Sequence, residues 1–134
     1  MGSGAAQVTV KGLELDAGAL IGLDRGDEQV RALLREALAG GLAIHVVAGV
    51  VAQMWRGGPR QARLASFLDS AEVRVMPMDS LVARAVGQLC GRAGARDVVD
   101  VHVALDARTR GFTVVTSDPR DITKVDPSIR IIAV

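Results

Sequence analysis

Short runs of Val, Ile and Leu alternate with longer segments of helical spacing, and this alternation is the feature that most constrains the fold. Apolar runs of strand type occupy residues 8–15, 43–47, 73–75, 112–116 and 129–134. Strands that alternate with helices are typical of a mainly parallel sheet that is covered on both faces. We therefore predict an α/β fold, a three-layer α/β/α sandwich with a mainly parallel central sheet.

Helix signals separate the predicted strands. Asp27, Asp79 and Asp97 each precede a segment with apolar residues at helical spacing, so we expect these aspartates to be N-caps. A short helix is predicted directly after the second strand, and another is predicted from Pro59, because proline suits the first helical turn. Residues 118–123 are predicted to form a turn or a single helical turn.

Length and composition indicate one domain. The chain has 134 residues, of which 49% are apolar, and its 16 basic and 15 acidic side chains give a formal net charge of +1. This apolar fraction suffices for a core, and the balanced charge argues against a disordered tail or a polycation that grips nucleic acid by bulk charge. We expect residues 8–134 to form a single domain and residues 1–7 to be a flexible N-terminus or the remnant of a tag.

Other features of the composition narrow the functional classes. Cys90 is the only cysteine, which excludes a disulfide framework and Cys-rich metal sites. No apolar run has the length of a membrane span and no signal peptide opens the chain, so we expect a cytoplasmic protein without a membrane partner. The only aromatic residues, Trp55, Phe67 and Phe112, are too few for a surface that stacks on RNA bases.

Four aspartates are predicted to meet at one edge of the sheet. Asp16 follows the first strand, and Asp118 lies two residues past Thr116, where a later strand ends. Ligands of parallel sheets bind at this edge, and Asp97 and Asp100, three residues apart on a helix, can both face one spot. Carboxylates gathered there would repel one another unless a cation lay between them, and oxygen ligands select Mg²⁺ or Mn²⁺.

Each of these acids also has a purely structural interpretation. Asp97 and Asp100 suit the start of a helix, and Asp118 followed by Pro119 is a turn signature. Asp16 is the hardest to explain in this way, because an ionised group directly after a buried strand needs a partner. His45 lies inside an apolar strand and is predicted to be a satisfied core residue, and Asp106 and His102 are predicted to point away from the acids.

Three segments of the chain together resemble a known family. They are residues 13–20 (LELDAGAL), residues 100–104 (DVHVA) and residues 115–118 (VTSD), and they occur in the order and at the spacing found in that family. The family is that of the PIN-domain ribonucleases, and the resemblance is greatest to the VapC type of toxin in bacterial type II toxin–antitoxin pairs. It extends over nearly the whole chain from about residue 8.

The resemblance implies a function and a set of site residues. The function is that of a metal-dependent endoribonuclease toxin that cleaves structured RNA, such as tRNA or rRNA, is neutralised by a small cognate antitoxin and forms a homodimer. By motif position, Asp16, Asp100 and Asp118 would be the first, third and fourth family acids. Asp97 and Asp121 are nearby acids that can join or replace them.

Two further positions matter in this resemblance. Thr116 is similar to the family's hydroxyl residue that orients an acid or a phosphate. Gln53 stands where the second family acid, usually a glutamate, is expected, and its amide keeps one carbonyl oxygen but lacks the charge. The chain could be a natural variant whose second acid has moved to Asp97, an engineered variant, or an inactive PIN-fold module that binds RNA or a protein partner without cleavage.

A group of arginines suggests where a phosphate backbone could bind. Fourteen of the 16 basic residues are arginine, the side chain best suited to bidentate phosphate contact. Arg56, Arg60 and Arg63 lie in an interval without a single acid, between Glu36 and Asp69. We expect them to form a patch that faces RNA or the antitoxin, although a solvated helix face is an equally good interpretation.

Overall fold

Five parallel strands form the centre of the molecule in the computed structural model, which describes residues 10–134. The strands are β1 (Gly12–Leu15), β2 (Ala43–Val47), β3 (Val73–Met76), β4 (Thr113–Thr116) and β5 (Ile131–Ala133). Their order in the sheet is β3-β2-β1-β4-β5, and every neighbouring pair is parallel. The predicted fold class is confirmed.

Seven α-helices cover the two faces of the sheet. They are α1 (Ala17–Arg25), α2 (Glu28–Ala39), α3 (Ala48–Met54), α4 (Ala62–Leu68), α5 (Ser80–Ala93), α6 (Val98–Arg110) and α7 (Pro119–Val125). Helix α1 packs against α2, α3 and α4, whereas α6 packs against α5 and α7. None of the helices between residues 10 and 134 combines the length and apolar character that a membrane crossing requires.

The connections of β1 create a topological switch point. From β1 the chain crosses to β2 through α1 and α2, whereas β4, the other neighbour of β1, is reached only after β3, α5 and α6. Because parallel crossovers are right-handed, these connections lie on opposite faces and leave a crevice beyond the carboxyl ends of β1 and β4. This crevice is where a doubly wound sheet binds its ligand.

The predicted helix ends agree with the structure where a polar cap specifies them. Asp27, Asp79 and Asp97 each accept a hydrogen bond from a backbone N–H in the first turn of α2, α5 and α6. Gly94 and Gly111, at φ of 65° and 71°, end α5 and α6 in the left-handed conformation that glycine adopts without strain.

Other boundaries differ from the prediction. Strand β1 begins at Gly12 because its register pairs that residue with Ala43, the first residue of β2; residues 8 and 9 lie outside the described part of the chain, as do residues 1–7. Helix α7 is longer than one turn, because Ile122 and Val125 bury their side chains from one face of it.

Candidate active site

Asp16 lies in the crevice, immediately after β1. Its Oδ1 accepts a hydrogen bond of 2.7 Å from the N–H of Ala17 and so caps α1. Its Oδ2 accepts a hydrogen bond of 3.0 Å from the hydroxyl of Thr116, the last residue of β4. The same hydroxyl accepts a hydrogen bond of 3.0 Å from the N–H of Asp118. Thr116 is fully buried and therefore holds two acids from distant segments in a fixed relation.

Helix α6 brings two more acids to the crevice. Asp97 is the N-cap of α6, and its Oδ1 accepts hydrogen bonds from the N–H groups of Val99, at 2.9 Å, and Asp100, at 3.2 Å. Asp100 is half-buried in the first turn. The capping interpretation of Asp97 is therefore correct, but it does not exclude a second role, because the other carboxylate oxygen of Asp97 is not used by the cap.

The charges of these residues act on one another. Partial burial and the neighbouring carboxylates of Asp97, Asp16, Asp121 and Asp118 raise the pKa of Asp100 to about 7. Burial and the proximity of Asp118 likewise raise the pKa of Asp121. The carboxylates of Asp16, Asp97, Asp118 and Asp121 all lie near enough to Asp100 to raise its pKa, and we refer to these five acids as the acid cluster.

The acid cluster has the donor chemistry of a hard divalent cation. Among residues 10–134, no Lys, Arg or His forms an ion pair with any of its five members. Its donors are carboxylate oxygens without sulfur or clustered imidazole, which is the set that Mg²⁺ and Mn²⁺ prefer. A divalent cation would remove the repulsion that raises the pKa of Asp100, so the residues fit such an ion.

Gln53 lies on α3, near the start of α6. A side chain at Gly49 would collide with Val99, because a Cβ there would lie 2.9 Å from the Val99 Cγ2 atom. Gln53 follows Gly49 by one helical turn and so lies on the same side of α3. Its side chain is exposed.

The predicted arginine patch is separate from the acid cluster. The guanidinium of Arg56 donates hydrogen bonds to the carbonyls of Trp55, at 2.7 Å, and Ala52, at 3.3 Å, and so satisfies the C-terminal end of α3. Arg60 and Arg63 are exposed. The loop that bears Arg56 depends on buried Gln61, whose side chain forms hydrogen bonds with the backbone on both sides of Trp55. No sequence pattern indicates this role of Gln61.

A second set of titratable side chains lies on the sheet beneath α6. Glu14 is adjacent to His45 in the register of β1 and β2, and both side chains contact Asp106 of α6. The Nδ1 atom of His45 lies 2.8 Å from Asp106 Oδ2, and the Nε atom of Arg110 lies 3.6 Å from Asp106 Oδ1. We refer to Glu14, His45 and Asp106 as the buried cluster, since all three are inaccessible to solvent or nearly so.

The protonation of the buried cluster follows from its surroundings. Burial, together with the adjacent carboxylate of Asp106, raises the pKa of Glu14 to about 11. Burial alone would also raise the pKa of Asp106, but hydrogen bonds from protonated Glu14 and from His45 lower it overall. Of the two carboxyl groups, Glu14 therefore keeps a proton and Asp106 keeps the charge.

Sequence reasoning did not select Glu14 as a site residue. The signal was present, because a glutamate between Leu13 and Leu15 interrupts a central strand that has both faces covered. His45 is a satisfied core residue, as predicted, since Asp106 bonds it. His102 is buried, and burial lowers its pKa.

Three solved structures illustrate the fold similarity of this chain to other proteins. One, FitAB bound to an IR36 DNA fragment, has a TM-score of 0.63 and 21% sequence identity over 90% of this chain and 94% of the other. A second, FitAcB from Neisseria gonorrhoeae, has a TM-score of 0.61 and 20% identity over 90% and 96%. A third, VapBC2 from Rickettsia felis bound to a DNA fragment from its promoter, has a TM-score of 0.69 and 16% identity over 91% and 98%.

Sequence comparison identifies the family. The chain has no match among curated proteins. Its residues 13–126 match the family model of the PIN domain, and this match spans both the acid cluster and the buried cluster. It covers far more than half of the chain and agrees with the motifs at β1, α6 and β4. The chain therefore belongs to the PIN-domain family.

Proposed function

We propose that this PIN domain is a metal-dependent endoribonuclease toxin of the VapC type, which cleaves structured RNA of the tRNA or rRNA class. The observation that supports this proposal best is the acid cluster at the switch point of the sheet. Partial burial and the neighbouring carboxylates together raise the pKa of Asp100 to about 7, and no basic residue among those described forms an ion pair with the acid cluster. A group of this kind suits cation binding better than structural stabilisation.

In this proposal Asp16, Asp100 and Asp118 are the catalytic acids, and together with Asp97 they hold Mg²⁺ or Mn²⁺. When bound, the ion supplies the positive charge that stabilises the phosphodiester group as it becomes more negative in the transition state. Asp121 lies beside Asp118 and adds negative charge at the rim of the site. It can replace Asp118 as a ligand if the RNA displaces that residue.

The protein groups around the ion have a positioning role. Thr116 donates to the carboxylate of Asp16 and accepts from the backbone N–H of Asp118, so its hydroxyl fixes the Asp16 carboxylate relative to the backbone at Asp118. The N–H groups at the start of α6 direct one oxygen of Asp97 inward and leave the other available. These bonds are made before any ligand arrives, which reduces the reorganisation that binding requires.

The proposal extends to partners and location. We infer that a small cognate antitoxin neutralises the protein, that the toxin forms a homodimer, and that residues 8–134 act as one domain in the cytoplasm. The similar folds of FitAB and VapBC2, both solved as complexes, support a protein partner. RNA would be held by phosphate contacts from Arg60 and Arg63, since both are exposed and bidentate phosphate binding suits arginine. Arg56 contributes less, because its guanidinium already bonds backbone carbonyls.

A second candidate function rests on Gln53. If the usual glutamate is essential, the chain is a catalytically weakened or inactive PIN-fold module that binds RNA or a protein partner without cleavage. An amide in place of a carboxylate removes one negative charge near the start of α6, and the affinity of the acid cluster for a divalent ion should then fall. The acid cluster nevertheless retains five carboxylates, which favours the nuclease.

Cleavage of a structured RNA in the presence of Mg²⁺ or Mn²⁺ tests the proposal directly. We expect cleavage by the unaltered protein, loss of cleavage in EDTA, and loss in Asp16→Asn. Asp79→Asn is the matched control, because Asp79 is also a helix N-cap but lies outside the acid cluster. Cleavage that persists in both EDTA and Asp16→Asn would refute the nuclease, whereas no cleavage by the unaltered protein but strong cleavage by Gln53→Glu would establish the second candidate.

A further inference from the structure

The buried cluster has the arrangement of a metal site. One potential ligand atom from each of Glu14, His45 and Asp106 lies within 4.8 Å of the others, and the three residues come from β1, β2 and α6. We propose that these side chains bind a first-row divalent transition metal, for which Zn²⁺ is the best candidate, at a site distinct from the acid cluster. This proposal does not depend on the nuclease activity.

The state of Glu14 points to a ligand. The side chain is 0% exposed, and neither of its carboxylate oxygens has a hydrogen-bond donor among the residues that the structure describes. Only a proton or a cation between Glu14 and Asp106 can compensate such a group. Nearby, the buried Nδ1 atom of His102, one helical turn before Asp106, also has no partner within the described residues.

The donor set selects the kind of metal. One imidazole with two carboxylates is a combination that Zn²⁺ accepts, at distances of about 2.0–2.2 Å, usually in a tetrahedral arrangement. Mg²⁺ is disfavoured, because it prefers oxygen ligands alone and retains several waters, for which a buried site has little room. The Irving–Williams order also places Zn²⁺ above Mn²⁺ at a nitrogen-containing site.

Neighbouring groups would support the bound ion. Arg110 lies 3.6 Å from the second oxygen of Asp106 and can orient that carboxylate, as groups behind metal ligands commonly do. His45 also lines a surface cavity of about 360 Å³ between β2 and β3, together with Glu72 and Arg74, and this cavity offers a route to the cluster. Binding would replace the proton on Glu14 and the direct bond between His45 and Asp106.

Metal binding to a variant whose acid cluster has lost two of its five carboxylates tests the proposal. The background is the untagged full chain with Asp16→Asn and Asp118→Asn, because a histidine tag or the intact acid cluster would itself bind metal. Equilibrium dialysis with Zn²⁺, and Co²⁺ as a spectroscopic probe, should give one equivalent per chain. The thermal midpoint should rise by about 5 to 10 °C at a hundredfold excess of Zn²⁺ over Kd.

Glu14→Gln in this background distinguishes the two possible occupants of the cluster. The amide imitates a protonated glutamate but cannot replace a carboxylate ligand, so we expect Zn²⁺ affinity to fall more than about a hundredfold. Glu36→Gln, the same change on an exposed helix face, should leave binding intact. A background protein that binds no Zn²⁺, or binding that Glu14→Gln does not change, would show that a proton alone occupies the cluster.

X-ray absorption at the zinc edge provides a test that needs no change in the buried cluster. Zn²⁺ bound to the background protein should show imidazole scattering together with oxygen ligands. Because this measurement uses intact Glu14, His45 and Asp106, it remains decisive if Glu14→Gln does not fold. A ligand shell of oxygen alone would overturn the proposal.

Discussion

The acid cluster and the buried cluster are built on the same two elements, yet their surroundings make them chemically different. Strand β1 leads to Asp16 of the one and contains Glu14 of the other, and α6 supplies Asp100 to the first and Asp106 to the second. Glu14 and Asp16 are two residues apart, and the charge of Asp16 contributes to the raised pKa of Glu14. The two clusters therefore lie close together, and their chemical difference comes from the residues that surround each of them.

Counter-charge and solvent explain this contrast. In the buried cluster, His45 and Glu14 lower the pKa of Asp106, and Arg110 adds to the effect. In the acid cluster, every neighbouring charge that acts on Asp100 is negative and raises its pKa. Charge on Asp106 therefore stabilises the fold, whereas charge on Asp100 destabilises it until a cation binds. Removal of these two charges should therefore change the stability of the metal-free protein in opposite directions.

The largest effect is expected for Asp100→Asn. Loss of this carboxylate should reduce RNA cleavage by roughly 10² to 10³-fold, a typical cost of removing one charge-stabilising group from an active site. The same substitution should raise the thermal midpoint of the metal-free protein at neutral pH, because it removes repulsion. Cleavage assays and thermal denaturation in EDTA check both parts, and a lower midpoint would contradict the role assigned to the acid cluster.

Asp106→Asn should have the opposite effect on stability. The substitution removes a buried charge that His45 and Arg110 compensate, so we expect the free energy of unfolding to fall by about 2 to 4 kcal/mol. Urea denaturation of the metal-free protein measures this change. Asp126→Asn is a suitable control, since Asp126 pairs with Arg108 nearer the surface and should contribute less. Equal losses from the two substitutions would show that burial does not distinguish them.

Gln53→Glu should strengthen the binding of divalent cations at the acid cluster without affecting the buried cluster. A sixth carboxylate near the start of α6 should raise affinity for Mg²⁺ or Mn²⁺ by about tenfold, equivalent to about 1.4 kcal/mol. Calorimetric titration with Mn²⁺ measures the affinity. The control is Gln88→Glu, at an exposed position of α5. Gln61→Glu is unsuitable, because the side chain of Gln61 is buried and forms hydrogen bonds with the backbone. A change in Mn²⁺ affinity of similar size in both variants would argue against a local role for Gln53.

The last prediction concerns the pH dependence of stability. The pKa of Asp100 is about 7 in the folded chain and 3.8 ordinarily, so between these values the folded state binds more protons than the unfolded state. The stability of the metal-free protein should consequently decline as pH rises from about 4 to 7. This decline in stability should be smaller for the Asp100→Asn variant, and also smaller for the unaltered protein when Mg²⁺ is present. Thermal denaturation over this pH range measures both differences. An equal decline in the unaltered protein and Asp100→Asn would assign it to other groups.

Much of the fold and of the acid cluster could be predicted because both depend on local signals. N-cap aspartates locate helix starts, and parallel topology alone requires Asp16 and Asp118 to meet at one edge of the sheet. The start of helix α1 is not among the predictions, because its N-cap is Asp16, for which the sequence predicts a site role. The same side chain in fact has both roles.

The buried cluster depends on information that local patterns do not contain. His45 and Asp106 are 61 positions apart, and their contact requires the rotation of α6 about its axis as well as the register of β1 and β2. Sequence reasoning placed Asp106 away from the acid cluster but had no means to identify its partners. A glutamate within an apolar strand, such as Glu14, indicates that a buried partner exists but does not identify it.

The hydrogen bond between Thr116 and Asp16 joins residues that are 100 positions apart in the chain. A ribosome therefore synthesises Asp16 well before Thr116, and the acid cluster can form only when β4 and Asp118 have emerged. Contacts of such long sequence separation also form slowly once the chain is free. If the protein is the toxin proposed here, the growing chain has no complete acid cluster before β4 emerges, and this interval gives an antitoxin time to bind.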